Sequence, residues 1–151
     1  MLSNPSSSGL LTKDDEPRGA KAFRFTLSKN GLKLSAYVMF HGTKPGYVAS
    51  ILDNGFWKSK AVGNMLGEGV YTSRNPRKTE TIYGTCTLKL VVYTGKVKKI
   101  DSQNHAMQKT WQKEELDFDS AHVPIKCGMV GSGREENCIK EAWQVKILGV
   151  W

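Results

Sequence analysis

Three short motifs in this chain carry side chains suited to binding or catalysis. They are His41-Gly42-Thr43, Gly67-Glu68-Gly69-Val70-Tyr71 and Glu135-Glu136. An imidazole exchanges hydrogen bonds with hydroxyl groups, a phenol ring stacks on planar ligands, and a carboxylate stabilises positive charge that develops during a reaction. Each such residue, taken alone, is more often a packing or surface group. Their meaning therefore depends on the elements that position them.

The first motif follows a predicted strand and precedes a predicted helix. Residues 22–27 alternate polar with apolar side chains and residues 36–40 are mostly apolar, so both favour strands, and the second strand ends at the motif. Thr43 is the predicted cap of a short helix with Pro45 in its first turn, and Gly55 is placed to end it. Three apolar residues share the helix face that we expect to be buried: Val48, Ile51 and Leu52.

The second motif follows a long predicted loop. Residues 56–69 contain several glycines and no regular apolar pattern, and long loops of this kind in compact domains commonly serve function. Residues 69–73 predict a short strand, and Asn75 followed by Pro76 favours the start of a helix that runs to residue 82. We therefore expect Tyr71 on a short strand between a loop and a helix.

The remaining elements are predicted to be mostly strands. Residues 85–93 are rich in β-branched side chains, and Gly95 favours a turn into residues 97–100 as the hairpin partner. A short helix is expected around residues 107–111, and residues 137–151 predict one or two core strands. Many strands with two or three short helices predict a compact α+β fold with mostly antiparallel strands.

The length of 151 residues fits one domain. Residues 1–20 are rich in Ser, Pro, Gly and charges and predict a flexible leader, so we expect the domain to span residues 21–151. The N-terminus has no secretory pattern and no apolar run approaches the roughly 18–20 residues that cross a bilayer, which favours a cytoplasmic protein without a membrane partner, with the nucleus as the alternative. The cysteines and histidines are scattered, a spacing that does not indicate a metal site.

In this order the motifs resemble the catalytic core of PARP-type ADP-ribosyltransferases. That family has an H-G-[ST] strand end, a later G-x-G-[IVT]-Y strand, and a glutamate on a strand near the C-terminus. Residues 136–145, E-N-C-I-K-E-A-W-Q-V, are similar to its E-Y-x-V-Y-x-x-x-Q-V. On this alignment Glu136 corresponds to the catalytic glutamate, and Glu135 is the alternative because a slip of one residue exchanges the two faces of a strand. In its small size and in the features around the motif, the chain also resembles the fish interferon-inducible, virus-induced antiviral proteins, which consist of little besides a PARP-like domain.

The resemblance implies that NAD is bound as the donor of ADP-ribose. In the family the histidine hydrogen-bonds a ribose hydroxyl, the role implied for His41. The backbone of Gly42 would exchange hydrogen bonds with the nicotinamide carboxamide, to which Thr79 would add a hydroxyl, and Tyr71 and Tyr83 would stack on the nicotinamide ring. The residues that the resemblance assigns to NAD binding are His41, Gly42, Thr43, Tyr71, Thr79 and Tyr83.

The resemblance implies catalysis by Glu136 together with His41 and Tyr71. Cleavage of the nicotinamide bond builds oxocarbenium-like charge on the ribose, which a nearby carboxylate stabilises. Asn137 replaces the family's tyrosine after the glutamate, so the family pattern does not determine the orientation of Glu136. The short loops favour mono-ADP-ribosylation over polymer synthesis.

The resemblance thus favours an NAD-dependent protein mono-ADP-ribosyltransferase, and the likeness to the antiviral proteins implies a role in innate antiviral defence. One alternative is a module that keeps the PARP-like fold and has lost transfer activity. Another is a basic nucleic-acid-binding domain, because the net charge of +8 favours contact with phosphates. The same positive charge also attracts the anionic pyrophosphate of NAD.

Overall fold

The computed structural model describes residue 11 and residues 25–29, 32–56, 65–77 and 85–151. Within them the chain forms eight strands, one α-helix and two 3₁₀ helices. The strands are β1 (Phe25–Lys29), β2 (Leu32–Thr43), β3 (Val70–Thr72), β4 (Cys86–Tyr93), β5 (Val97–Lys99), β6 (Ser120–Val123), β7 (Glu136–Ile139) and β8 (Val145–Val150); the helices are α1 (Pro45–Asn54) and the 3₁₀ segments Glu114–Leu116 and Ala142–Gln144.

The strands form two four-stranded sheets. The first sheet has the order β1-β2-β4-β8 with every neighbouring pair antiparallel. The second sheet has the order β3-β7-β6-β5, in which only β5 and β6 are parallel. This arrangement confirms the predicted α+β class with mostly antiparallel strands. Within the described part of the chain, no helix has the length and apolar character needed to cross a bilayer.

A backbone bridge between Phe40 and Ser73 joins the two sheets. Phe40 near the end of β2 lies opposite Ser73, which follows β3. The Phe40 N–H donates to the Ser73 carbonyl at 2.7 Å, and the Ser73 N–H donates to the Phe40 carbonyl at 3.0 Å. The two predicted motifs that contain His41 and Tyr71 therefore lie beside one another.

The described residues form two apolar core clusters. Alternating residues of β4 point to one face of the first sheet, and these pack with β2 and with inward residues of the second sheet. A second cluster covers the opposite face of the second sheet, since Ala121 and Cys138, which lie directly opposite each other, belong to it. The members of the second cluster are Leu66, Ile100, Trp111, Ala121, Val123, Met129 and Cys138.

Helix α1 begins and ends close to the predicted positions. Pro45 is its first residue, and Gly55 ends it with φ of 79° and an N–H that donates to the Ile51 carbonyl at 2.8 Å. The predicted cap was wrong, because Lys44 occupies the N-cap position and no side chain caps the helix. The predicted buried face was also too wide: Ile51 is buried, whereas Leu52 is 48% exposed.

Two further predictions were wrong. Residues 97–99 form a strand, but it pairs with β6 in the second sheet and not with β4 as a hairpin. Residues 107–111 form turns, in which the Thr110 and Trp111 N–H groups both donate to the Met107 carbonyl, and the nearest helix is the 3₁₀ segment Glu114–Leu116. The predicted C-terminal strands are confirmed as β7 and β8.

The helix predicted after Tyr71 is described only at its start. The Arg77 N–H donates to the Asn75 side-chain oxygen at 3.0 Å, as expected for an N-cap residue followed by Pro76. The rest of that predicted helix, including Thr79, lies outside the described residues, and so do Tyr83, which follows it, and most of the loop predicted at residues 56–69.

Candidate functional site

Three neighbouring strands carry His41, Tyr71 and Glu136. His41 lies near the end of β2, Tyr71 is the middle residue of β3, and Glu136 is the first residue of β7. Strand β3 is joined to β2 by the Phe40–Ser73 pair and to β7 by an antiparallel ladder. Three motifs that are far apart in sequence therefore meet across β3.

Tyr71 and Glu136 face the same side of the second sheet. Tyr71 lies directly opposite Cys138, and directly opposite residues of an antiparallel pair share a face. Glu136 is two residues before Cys138 on the same strand, so it also shares that face. Its position relative to Tyr71 is the diagonal one, about 7–8 Å between backbones in such pairs. A ligand that touches one of these side chains is within reach of the other.

His41 approaches β3 from the other face. Phe40 shares a face with Ser73 and hence with Tyr71, so alternation along β2 turns His41 away and brings Gly42 back. The His41 ring packs edge-on against Phe56, with 4.9 Å between the ring centroids. The structure therefore brings His41 to the backbone of Tyr71 and does not bring it to the Tyr71 ring face.

One hydrogen bond fixes the tautomer of His41. Its Nδ1 lies 2.6 Å from the carbonyl oxygen of Tyr71. A carbonyl oxygen only accepts, so Nδ1 carries the hydrogen. Burial lowers the pKa of His41, and this outweighs the opposite effect of the bond to Tyr71. The ring is therefore neutral at pH 7, and Nε2 carries a lone pair that accepts a hydrogen bond.

The Tyr71 hydroxyl holds the loop that precedes it. It donates to the Gly67 carbonyl at 2.6 Å and accepts from the Leu66 N–H at 3.0 Å. Burial raises the pKa of this phenol, so it stays protonated at neutral pH. Only the ring of Tyr71 is therefore left to contact a ligand.

Three side chains from residues 108–112 fasten the same loop. Trp111 Nε1–H donates to the Leu66 carbonyl at 2.8 Å, the Gln108 amide donates to the Met65 carbonyl at 3.1 Å, and the Gln112 amide donates to the Glu68 carbonyl. No local sequence pattern predicts these bonds, since the partner of each side chain lies more than forty positions away.

Gly69 lets β3 approach β7 closely. A Cβ atom at this position would collide with the Cys138 sulfur and would lie 2.7 Å from the Ile139 carbonyl oxygen. Such distances are shorter than carbon contacts allow, so only glycine fits without a shift of the backbone. The second glycine of the G-x-G-V-Y motif is thus required by packing next to Tyr71.

The two consecutive glutamates have different surroundings. Glu135 is 0% exposed and forms a bidentate ion pair with Arg74, which is 4% exposed. Glu136 is half-buried at the start of β7. Because Glu135 is committed to Arg74 inside the protein, the geometry favours Glu136 as the carboxylate that meets a ligand.

Asn137 is a buried structural residue. Its side-chain amide donates to the Thr72 carbonyl at 3.3 Å, and its side-chain oxygen accepts from His122 Nδ1 at 2.6 Å. These bonds tie β7 to both of its neighbours, β3 and β6. The residue that replaces the family's tyrosine thus helps to hold the strand that carries Glu136.

Gly42 and Thr43 end β2 opposite Thr87 and Cys86, and both are half-buried. Thr79 and Tyr83, predicted to contact nicotinamide, lie outside the described residues. In the described part of the chain no three His, Cys, Asp or Glu side chains are grouped so that they could hold a metal ion.

A scan against protein-family models returned no match to this chain, and a search of curated proteins returned none either. The family therefore remains a hypothesis that rests on the motifs and on the arrangement of β2, β3 and β7.

Proposed function

We propose that this chain is a mono-ADP-ribosyltransferase of the PARP type, which transfers ADP-ribose from NAD to a protein acceptor. The observation that supports it most is the adjacency of β2, β3 and β7, which sets Tyr71 and Glu136 on one face with Gly42 at its edge. The motifs are separated in sequence, and the fold brings them together around one short strand.

The proposed ligand crosses the end of β2. The nicotinamide ring stacks on the half-buried Tyr71 ring, and the backbone of Gly42 exchanges hydrogen bonds with its carboxamide. Gly42 has no side chain to obstruct this approach. A ribose hydroxyl donates to Nε2 of His41, the ring nitrogen that the bond to Tyr71 leaves as an acceptor.

The proposed reaction replaces one bond at the anomeric carbon by another. The bond between the ribose and nicotinamide breaks, and the electron pair leaves with neutral nicotinamide. The acceptor nucleophile forms the new bond and releases its proton. The Glu136 carboxylate stabilises the positive charge that develops on the ribose between these events. We place this activity in the cytoplasm and, by the resemblance stated above, in innate antiviral defence.

The test is incubation of the purified chain with NAD labelled in its adenylate phosphate, together with candidate acceptor proteins. Label on protein and free nicotinamide are measured for the wild type, for Glu136→Gln, and for Glu115→Gln, an exposed glutamate of the 3₁₀ segment. We expect label with the wild type and Glu115→Gln, and a loss of roughly 100-fold or more with Glu136→Gln, the size typical of losing one electrostatic contact to a transition state.

A folded wild type that releases no nicotinamide would contradict the transferase proposal. Calorimetric titration with NAD then separates the two remaining functions. Binding of NAD without turnover would identify a PARP-like module that has lost transfer activity. Absence of binding, with affinity for single-stranded RNA that falls steeply as salt rises, would identify a nucleic-acid-binding domain.

A further inference from the structure

A buried ion pair lies immediately beside the candidate carboxylate. Arg74 Nε donates to Glu135 Oε1 at 2.9 Å, and its Nη2 donates to Oε2 at 3.0 Å. The Arg74 backbone N–H donates to the same Oε1 at 2.7 Å. Three charge-assisted bonds to one carboxylate fix its position more strongly than a single contact does.

The pair connects the two strands that carry Tyr71 and Glu136. Arg74 follows the end of β3 by two residues, and Glu135 is the residue immediately before β7. It therefore closes the β3–β7 ladder at the end where Glu136 lies. Two aromatic rings lie near the pair: His122 Nδ1 is 3.7 Å from Glu135 Oε2, and the Tyr37 ring centroid is 5.9 Å from Arg74 Cζ.

Because Glu135 and Glu136 are consecutive, a carboxylate could reach Arg74 in either of two registers of β7. A slip of β7 by one residue would bring Glu136 to Arg74 and turn Glu135 to the Tyr71 face. The same slip would remove Asn137 from His122 and Thr72. Arg74 is 4% exposed, so its charge requires a carboxylate partner inside the protein. The register observed satisfies Arg74 with Glu135 and leaves Glu136 on the Tyr71 face.

We propose that Arg74 and Glu135 are positioning residues for the transferase: their ion pair holds β7 in the register that directs Glu136 toward Tyr71. This inference rests on the proposed function, because it assigns Glu136 a catalytic role. Neither residue touches NAD in this scheme, and each acts through the strand that carries Glu136.

The test compares variants of the buried pair with a variant of an exposed pair. Glu135→Gln keeps the size of the side chain and removes its charge, and Arg74→Lys keeps the charge and removes the bidentate geometry. Asp101→Asn is the matched control, since Asp101 and Lys99 form an ion pair at 4.0 Å in which both side chains are more than half exposed. The steady-state kcat and KM for NAD are measured from nicotinamide release.

We expect Glu135→Gln to lower kcat by roughly tenfold or more while the KM for NAD changes by less than about threefold, because NAD contacts remain and the carboxylate is misdirected. Arg74→Lys should retain more activity than Glu135→Gln, and Asp101→Asn should match the wild type. A rise in KM with unchanged kcat would overturn the positioning role. Glu135→Asp replaces Glu135→Gln if the latter does not fold.

A second readout does not depend on activity. Cross-strand nuclear Overhauser contacts between the backbones of Tyr71 and Cys138, measured in the wild type and in Glu135→Gln, report the register directly. Loss or doubling of these contacts in the variant supports the proposal, and unchanged contacts overturn it whatever the activity. A wild type that keeps the register but releases no nicotinamide contradicts the proposed function and, with it, the catalytic purpose of the pair.

Discussion

A single carbonyl oxygen determines how His41 can contact a ligand. The Tyr71 carbonyl accepts from Nδ1, and burial keeps the ring neutral, so Nε2 is an acceptor. A protonated ring would present donors at both nitrogens and would require an acceptor on the ligand instead. The neutral form matches a hydroxyl donor such as that of a ribose. In the proposed site, Tyr71 therefore acts through its backbone as well as through its ring.

His122 is expected to make the protein less stable in mild acid. Burial lowers its pKa from the ordinary value near 6.5, an effect larger than the opposing charge of Glu135, and among the described residues its Nε2 is a buried atom without a hydrogen-bond partner. The unfolded chain binds the proton more readily than the folded chain does. The free energy of unfolding is therefore at its full value above pH 6.5, and it decreases as the pH falls from there toward the pKa of His122 in the folded protein.

Urea unfolding of the wild type and of His122→Gln at several pH values between 7.5 and 5 checks this expectation. The free energy of unfolding should fall with pH in both, because burial also lowers the pKa of His41. The fall should be smaller in His122→Gln. Equal slopes in the two proteins would mean that His122 does not titrate differently on folding.

The resemblance assigned Glu136 to the candidate site with Glu135 as the alternative, and the strand pattern alone does not decide between them. Alternation along a strand says that Glu135 and Glu136 point to opposite faces, and it does not say which face is buried. The answer depends on Arg74, which lies 61 residues from Glu135 in the chain. A local sequence pattern does not include residues so far apart, so only the folded structure shows which of the two glutamates shares a face with Tyr71.

Among the elements, β3 is short and is bordered by other strands on both sides. It has three residues, yet it borders β7 along one side and the end of β2 along the other. The close approach at Gly69 and the hydroxyl of Tyr71 hold it in place. A short strand held on both sides positions a side chain more rigidly than a loop would.

Gly69→Ala is expected to destabilise the protein by roughly 1–3 kcal/mol, because the added methyl group overpacks against Cys138 and the Ile139 carbonyl. The matched control is Gly46→Ala in α1, where an added Cβ would meet nothing within 4 Å. There the change should be neutral or stabilising by up to ~1 kcal/mol, since alanine favours helices. Thermal unfolding followed by circular dichroism measures both, and equal effects would show that β3 can shift to admit the methyl group.

The pairing partner of β5 could not be predicted from the local sequence pattern. Gly95 does turn the chain, with φ of 58°. The N–H of Lys96 then donates to Asp119 Oδ2, and the Asp119 N–H donates to the Lys96 carbonyl, each at 2.8 Å. These bonds direct β5 to β6 and away from a hairpin with β4. Asp119 lies 23 residues from Lys96, so the sequence around Gly95 predicts the turn and not the partner.

For the molecule as a whole, the two core clusters lie on opposite faces of the second sheet and should unfold together. Leu90 belongs to the cluster between the sheets, and Cys138 belongs to the other. Leu90→Ala should cost about 2–5 kcal/mol, the usual range for a buried leucine. If the molecule is one cooperative unit, this change also exposes Cys138 more often.

The check is the rate of alkylation of Cys138, which is 0% exposed. Cys86 and Cys127 are half-buried, so they are replaced by serine in both proteins that are compared. We expect Leu90→Ala to accelerate alkylation by at least about thirtyfold, the factor that corresponds to 2 kcal/mol. An unchanged rate beside a lowered unfolding midpoint would mean that the two faces of the second sheet open separately.

The pairing of β3 with β7 joins parts of the chain that are far apart in sequence. Tyr71 and Cys138 are opposite each other although 67 residues separate them, as 138 minus 71 shows. Closing such a loop costs conformational entropy before the stabilising contacts of the pair have formed. β-rich domains with pairings of this kind fold over milliseconds to seconds. The candidate site therefore exists only after this long loop has closed, and we expect a chain whose sheets are still assembling not to bind through it.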